Sequence, residues 1–297
     1  MVKNTVMEIF YNNELLEYSE KGHPESPQRL EAIVSFLEKK GRKNFHDFKE
    51  VSEELLLEVH SHSLVNMVKN NDFFDPDTPN IPDIYKYACL SAGGAISAAE
   101  SAMKGNDSCA LIRPPGHHAG RNFLGGFCYF NNMAIAVKHC LKSVKKIAIL
   151  DLDGHHGNGT ESIFRGYDNV IFISIHQIGV YPGTGLTSFL NCYNFPVKSG
   201  TGFVDYRIFL FEAIALIRRF NPEIVGISLG FDTHINDPLL DICFIDSDYY
   251  HMAKMIASGI DCPVFVLLEG GYDINSIGNS FFCFLSGWEL TKKENKK

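Results

Sequence analysis

The sequence predicts an α/β fold in which a central parallel β-sheet is flanked by helices on both faces. Short apolar runs rich in β-branched residues and bounded by Gly or Pro recur along the chain, and segments of helical periodicity alternate with them. A further observation is where the runs stop: four of them end in clusters of Asp, His and Tyr. Open α/β sheets bind ligands beyond the carboxyl ends of their strands.

The strand candidates, in order, are MEIFY, CALI, KIAIL, NVIFISI, EIVGISL and PVFVLL. Helical periodicity covers residues 27–40, 85–103, 132–141, 206–220 and 247–256, the last preceded by an N-cap at Asp246. No internal repeat, low-complexity linker or break in composition divides the chain, so one domain over residues 1–297 is expected. With 45% hydrophobic residues, that length buries a substantial core.

Composition excludes some classes of function. The formal net charge is -8 and the Lys and Arg residues are scattered, which argues against a nucleic-acid partner and suits basic peptides or cationic small molecules better. No apolar run reaches the length of a membrane span. The opening MVKNTVMEIFYN carries Glu8 in its apolar stretch and lacks a small-residue cleavage site, so it does not read as a signal peptide. Eight cysteines (Cys89, Cys109, Cys128, Cys140, Cys192, Cys243, Cys262, Cys283) show no C-x-x-C pairing and mostly sit in apolar stretches. They read as reduced, packed thiols of a cytoplasmic protein. The closing KKENKK reads as a solvated, frayed terminus rather than an address.

The strand ends carry the chemistry. CALI is followed by RPPGHHAG, KIAIL by DLDGHHGNGT, EIVGISL by GFDTHINDP and PVFVLL by EGGYD, so these clusters should converge. In an extended DLDGHH segment, alternation points Asp151, Asp153 and His155 one way and His156 the other. Asp153 and His155 can then share one cation, with Asp232 as the third ligand from beyond EIVGISL. Two carboxylates and an imidazole leave a coordination position for water, as in a catalytic metal site. Zn²⁺ suits this set first, and Fe²⁺ or Mn²⁺ is also admitted. Read singly, these residues could be loop caps and satisfied core histidines. At four strand ends together that reading loses ground, because buried Asp and His are costly unless paired or metal-bound.

The motifs HPESPQR, RPPGHHA, GGFCYFNN, DLDGHHGNGT, SIHQ, YPGTG, SLGFDTHINDPL and LEGGY, in this order, resemble the zinc-dependent histone deacetylases and their bacterial relatives, among them the acetylpolyamine amidohydrolases. The details GHHGNGT and HPESPQR look closer to the class II branch. The resemblance implies an arginase-like fold and one deacetylase catalytic domain holding zinc at Asp153, His155 and Asp232. It implies tandem histidines at His117 and His118, paired with Asp151 and Asn158, and a transition-state tyrosine at Tyr272. Phe127 and Tyr181 become the walls of an acetyl-lysine tunnel, and Gly126 offers its carbonyl to the substrate amide. Arg29 falls near an internal product channel. A structural K⁺ is implied at the backbone carbonyls of Asp151, Asp153, His155 and Ile175 with Ser174. His156, facing away, is read as structural, and the glycines of GNGT and PGTG as tight turns.

The activity so implied is amide hydrolysis by metal-activated water, releasing acetate from an acetylated lysine of a peptide or protein, or from a small acetylated amine. An anionic partner favours an imidazolium more than an amide does, so His117 should be more basic than His118, although which is base and which is acid stays open. A two-manganese ureohydrolase on the same fold needs more carboxylates than this sequence has, since His156 and His234 stand where such enzymes need acids. A non-catalytic acyl-lysine-binding module is disfavoured because Tyr272 is present. Polyamine-specific relatives carry a carboxylate seven residues beyond the last ligand. Leu239 occupies that position, with Asp241 nearby, which favours a peptide substrate.

Overall fold

A computed structural model describes residues 6–295, so residues 1–5 and the last two lysines, which formed part of the terminal readings above, lie outside the described residues. Seven parallel strands form one sheet: β1 (Glu8–Tyr11), β2 (Ser108–Leu111), β3 (Ile147–Asp151), β4 (Val170–Gln177), β5 (Cys192–Val197), β6 (Ile224–Leu229) and β7 (Val264–Leu268). Their spatial order is β1-β2-β7-β6-β3-β4-β5. The four strands that end in polar clusters, β2, β7, β6 and β3, are therefore adjacent in the middle of the sheet. β2, β3, β6 and β7 are buried along their whole length, which is why they read as continuous apolar runs rather than alternating ones.

The strand missed in the sequence is β5, with the pattern CYNFPV. It lies at the sheet edge, half-buried, where Pro196 costs no central ladder bond. Nine α-helices are described, besides a single 3₁₀ turn at Asn13–Leu16: α1 (Pro27–Lys39), α2 (Glu53–Leu57), α3 (His62–Lys69), α4 (Ile84–Met103), α5 (Asn132–Cys140), α6 (Asn158–Phe164), α7 (Phe203–Phe220), α8 (Asp246–Gly259) and α9 (Ile277–Glu294). α4 packs on β1, β2 and β7 and against α5. α7 packs on β3 and β4 and against α8, which continues through α9 to α1.

Local chemistry sets the helix ends. Pro27 opens α1 with its fixed φ, and Leu30, Ile33 and Leu37 form the buried stripe one turn apart. Asp246 is not the cap of α8 but its first helical residue. The flanking residue is Ile245, whose backbone N–H donates to Asp248 Oδ2 at 2.9 Å, while Asp246 accepts from Asn279 and Ser280 at 2.7 Å each and ties α8 to α9. GNGT starts α6 rather than forming a turn. α9 escaped periodicity because FFCFLSGWEL is apolar nearly all round, and Trp288 is fully buried with its Nε1 donating to Asp107 Oδ2 at 3.0 Å. Its last turn includes Lys292, which donates to the Ile260 carbonyl instead of fraying.

Candidate active site

The loops after β2, β3, β6 and β7 do converge. Strand alternation does not set where Asp153 and His155 point, because β3 stops at Asp151 and residues 152–156 are not extended strand. Two side-chain-to-backbone bonds replace it: the Asp153 N–H donates to Asp151 Oδ1 at 3.2 Å, and the His155 N–H donates to Asp153 Oδ1 at 2.9 Å. Asp232, two residues past the Gly230 that follows β6, brings its Oδ2 to 2.7 Å from His155 Nδ1, and Asp153 Oδ1 lies 3.2 Å from the same nitrogen. One ligand-type atom from each of Asp153, His155 and Asp232 lies within 4.8 Å of the others, and all three residues are buried.

This donor set fits a divalent cation. Each carboxylate is fixed from behind by a backbone N–H, Gly270 to Asp153 Oδ2 at 2.7 Å and Gly154 to Asp232 Oδ1 at 2.9 Å. A Cβ at Gly230 or Gly270 would stand 2.3 or 2.6 Å from Asp153 Oδ2, so the cradle needs both glycines. Burial works against charge on His155, yet its hydrogen bonds to Asp153 and Asp232 raise it to about 10. Burial and the neighbouring Asp153 carboxylate hold the Asp232 carboxyl above its usual range. Two buried acids sharing one imidazole proton have an unmet need for positive charge, which a divalent ion meets.

His117 and His118 follow β2 on a loop whose backbone is held by Glu269. Glu269 Oε2 accepts from the Gly116 and His117 N–H groups at 2.7 and 3.2 Å, and its Oε1 accepts from the Ser228 hydroxyl at 2.9 Å. Both expected pairs form: His117 Nδ1 lies 3.1 Å from Asp151 Oδ2 and His118 Nδ1 lies 2.8 Å from Asn158 Oδ1. Burial opposes charge on both rings. The Asp153 and Asp151 carboxylates overcome it at His117, which rises to about 10, whereas His118 falls well below the usual histidine value, pushed further by His117 and His155.

The site opens through a cavity of about 230 Å³ lined by Asp77, His118, Gly126, Phe127, His155, Val180, Tyr181, Leu239 and Tyr272. Gly126 has φ +55°, and a Cβ there would stand 2.4 Å from His118 Cδ2. Its carbonyl accepts the weak Cys128 Sγ contact at 3.3 Å. The rings of Phe127 and Tyr272 meet edge-on at 5.6 Å, and those of Tyr181 and His118 at 4.9 Å. Burial raises Tyr272 well above the usual phenol range, so it keeps its proton at neutral pH. Leu239 is 39% exposed at the mouth.

Arg29 is fully buried, and each of its three guanidinium nitrogens donates: to the Gly271 carbonyl at 2.6 Å, the Glu269 carbonyl at 2.5 Å and Glu25 Oε1 at 3.2 Å. It stacks 4.8 Å from the Tyr272 ring. Ser174 pairs in register with Asp151 across β3 and β4, and its hydroxyl lies 2.9 Å from His176 Nδ1. The Ile175 carbonyl accepts from Tyr206 at 3.4 Å. His156 turns away from the triad and bonds Glu161 Oε2 at 2.9 Å and Thr184 Oγ1 at 2.7 Å.

Sequence reasoning assigned no role to Glu269, Asp237, Glu25, Arg113 or His60. Arg113 donates twice to Glu25, at 2.8 and 2.9 Å, and to the Leu15 and Tyr18 carbonyls. The available signal was an acid or cation inside an apolar neighbourhood, as at Glu269 directly after PVFVLL. Only the fold reveals what such a residue touches.

Comparison with known proteins agrees with this arrangement. The histone deacetylase domain family matches residues 23–287. A probable deacetylase from Archaeoglobus fulgidus is 37% identical over 90% of this chain and 81% of its own length. Acetylpolyamine amidohydrolase 1 from Pseudomonas aeruginosa is 36% identical over 73% of this chain and 66% of its own. The crystal structure of the HDA15 HD domain superposes with a TM-score of 0.90 at 32% identity, covering 97% of this chain and 89% of that one. The chain therefore belongs to the histone deacetylase family, with its arginase-like fold, and is an amide-cleaving hydrolase.

Proposed function

We propose that this deacetylase hydrolyses the acetyl amide of N-acetyl-lysine in a peptide or protein, with a single Zn²⁺ at Asp153, His155 and Asp232; Fe²⁺ is the alternative ion. Among the described residues these three form the one group of His, Cys and acidic side chains suited to a metal, which supports one ion over two. When bound, the ion supplies Lewis acidity and makes water a stronger acid.

The chain's own residues supply the rest. His118 lines the cavity and His117 does not. With its Nδ1–H donated to Asn158 Oδ1, His118 keeps a free lone pair on Nε2, so it takes the proton from water and returns it to the leaving amine. His117, held to Asp151 through Nδ1, stands behind His118 and fixes the tandem-histidine loop beside the reaction. Tyr272 donates its phenol proton to the carbonyl oxygen as that atom gains charge. Phe127 and Tyr181 flank an aliphatic stem, the Gly126 carbonyl accepts from the substrate amide, and Arg29 borders the path by which acetate leaves. A structural K⁺ beside Asp151, held by carbonyls of Asp151, Asp153, His155 and Ile175 with Ser174, completes the reading, as does a reducing, cytoplasmic setting for eight unpaired thiols.

The observation that carries the substrate assignment is Leu239, an apolar side chain at the mouth, where a polyamine's second ammonium would need a carboxylate. The competing substrate is an acetylated polyamine, favoured by Asp77 at the same mouth and by the named function of the Pseudomonas relative. Side-by-side kcat/KM values on an acetyl-lysine peptide, acetylputrescine and acetylspermidine decide between them, and a higher value for either polyamine overturns the peptide assignment. Tyr272→Phe is expected to lower kcat roughly 100-fold or more with metal retained; undiminished turnover would refute the role given to the phenol.

A further inference from the structure

We propose that Asp237 is the positioning residue for Tyr272, its carboxylate fixing the peptide unit from which the phenol is aimed. The proposal rests on the reading of Tyr272 given above. Asp237 lies five residues after Asp232 on the loop between β6 and α8 and is 7% exposed. Its Oδ2 accepts from the Tyr272 backbone N–H at 2.7 Å, and its Oδ1 accepts from the Leu239 N–H at 2.9 Å. No step of the hydrolysis uses this carboxylate, and burying it is costly unless its bonds are needed.

Those bonds fall where aim is decided. Residues 269–273 belong to no helix or strand, so no ladder holds Tyr272. The peptide unit between Gly271 and Tyr272 is instead gripped at both ends: its carbonyl accepts from Arg29 Nε at 2.6 Å and its N–H donates to Asp237. The tilt of that unit sets the backbone of Tyr272, and a tilt of roughly 10° moves a phenol oxygen at the end of the side chain by about 1 Å, enough to cost on the order of 100-fold in rate. The same carboxylate holds Leu239, so the mouth and the phenol share one anchor. Asparagine keeps the shape but presents N–H₂ to one of the two N–H donors, releasing one grip.

The test is a double-mutant cycle on the full chain loaded with Zn²⁺, using an acetyl-lysine peptide. Wild type, Asp237→Asn, Tyr272→Phe and the double variant are compared in kcat, KM, metal content and melting temperature. Asp237→Asn is expected to lower kcat roughly 10- to 100-fold with KM within about threefold and metal content unchanged, and to remove less than about threefold further from Tyr272→Phe. Equal fold losses in both backgrounds, or a kcat within about twofold of wild type, overturn the proposal. Full activity of Tyr272→Phe alone would overturn the reading of the phenol instead, so the two failures are distinct. Should Asp237→Asn lose metal or its cooperative melt, Asp237→Glu is read on the same cycle; loss of either property in that variant too assigns Asp237 to folding and overturns the proposal.

Discussion

Acidification should loosen this protein through His60, and the size of the effect follows from its contacts. His60 is 1% exposed and braces the tandem-histidine loop: its Nδ1 lies 2.9 Å from the Gly120 carbonyl, and its Nε2 accepts from the Asn131 N–H at 2.9 Å. These contacts fix a neutral ring, since Nδ1 donates and Nε2 accepts. Burial lowers its pKa from 6.5 to about 4 against the bond to Gly120, with Arg121 adding to the depression. The folded value is below the unfolded one, so the unfolded chain binds the extra proton as pH falls from 6.5 towards 4, and stability falls with it. At pH 5 the linkage removes about 2 kcal/mol relative to pH 8, and about 3 kcal/mol once pH passes below 4. Urea unfolding of wild type and His60→Gln, both in chelator, at pH 8 and pH 5 measures it. The variant should be less stable at pH 8, and its deficit should shrink by about 2 kcal/mol at pH 5. A deficit that stays constant between the two pH values would refute the neutral, doubly bonded ring.

Removing divalent metal should abolish turnover. Restoring Zn²⁺ at 100 times its dissociation constant should stabilise the fold by about 2.7 kcal/mol, a rise of roughly 4 °C in melting temperature, read by scanning fluorimetry; an unmoved melt would mean that the three buried ligands hold no ion. Gly126→Ala places a Cβ 2.4 Å from His118 Cδ2 and 2.6 Å from Tyr181 Cε1 at a positive φ. It should cost on the order of 100-fold in kcat/KM, and wild-type kinetics would show that the wall is free to shift. Glu25→Gln leaves Arg113 and Arg29 without their shared anion and should destabilise the chain by roughly 3–5 kcal/mol in urea unfolding. A loss below about 1 kcal/mol would mean that the two guanidinium groups find other partners.

Six of the seven strands were legible: burial on both faces writes β2, β3, β4, β6 and β7 as apolar runs, and β1, an edge strand buried only at Ile9, shows through its β-branched and aromatic residues. Their meeting point was legible too, because polar clusters stood at four of their ends. β5 was not, since an edge strand tolerates Asn194 and Pro196 and loses the apolar signature. α9 was not, since its run FFCFLSGWEL is apolar nearly all round, so the face that is buried does not stand out in the pattern. The sequence by itself determined which residues could carry the chemistry: Asp153, His155, Asp232, the tandem histidines and Tyr272 are each marked by type and by place after a strand. Only the tertiary structure decided how they are held. Asp237 and Glu269 reach backbone N–H groups 35 and 153 residues away in sequence. A backbone N–H is the same group at nearly every residue, so nothing in the sequence marks the partner that a distant carboxylate will find.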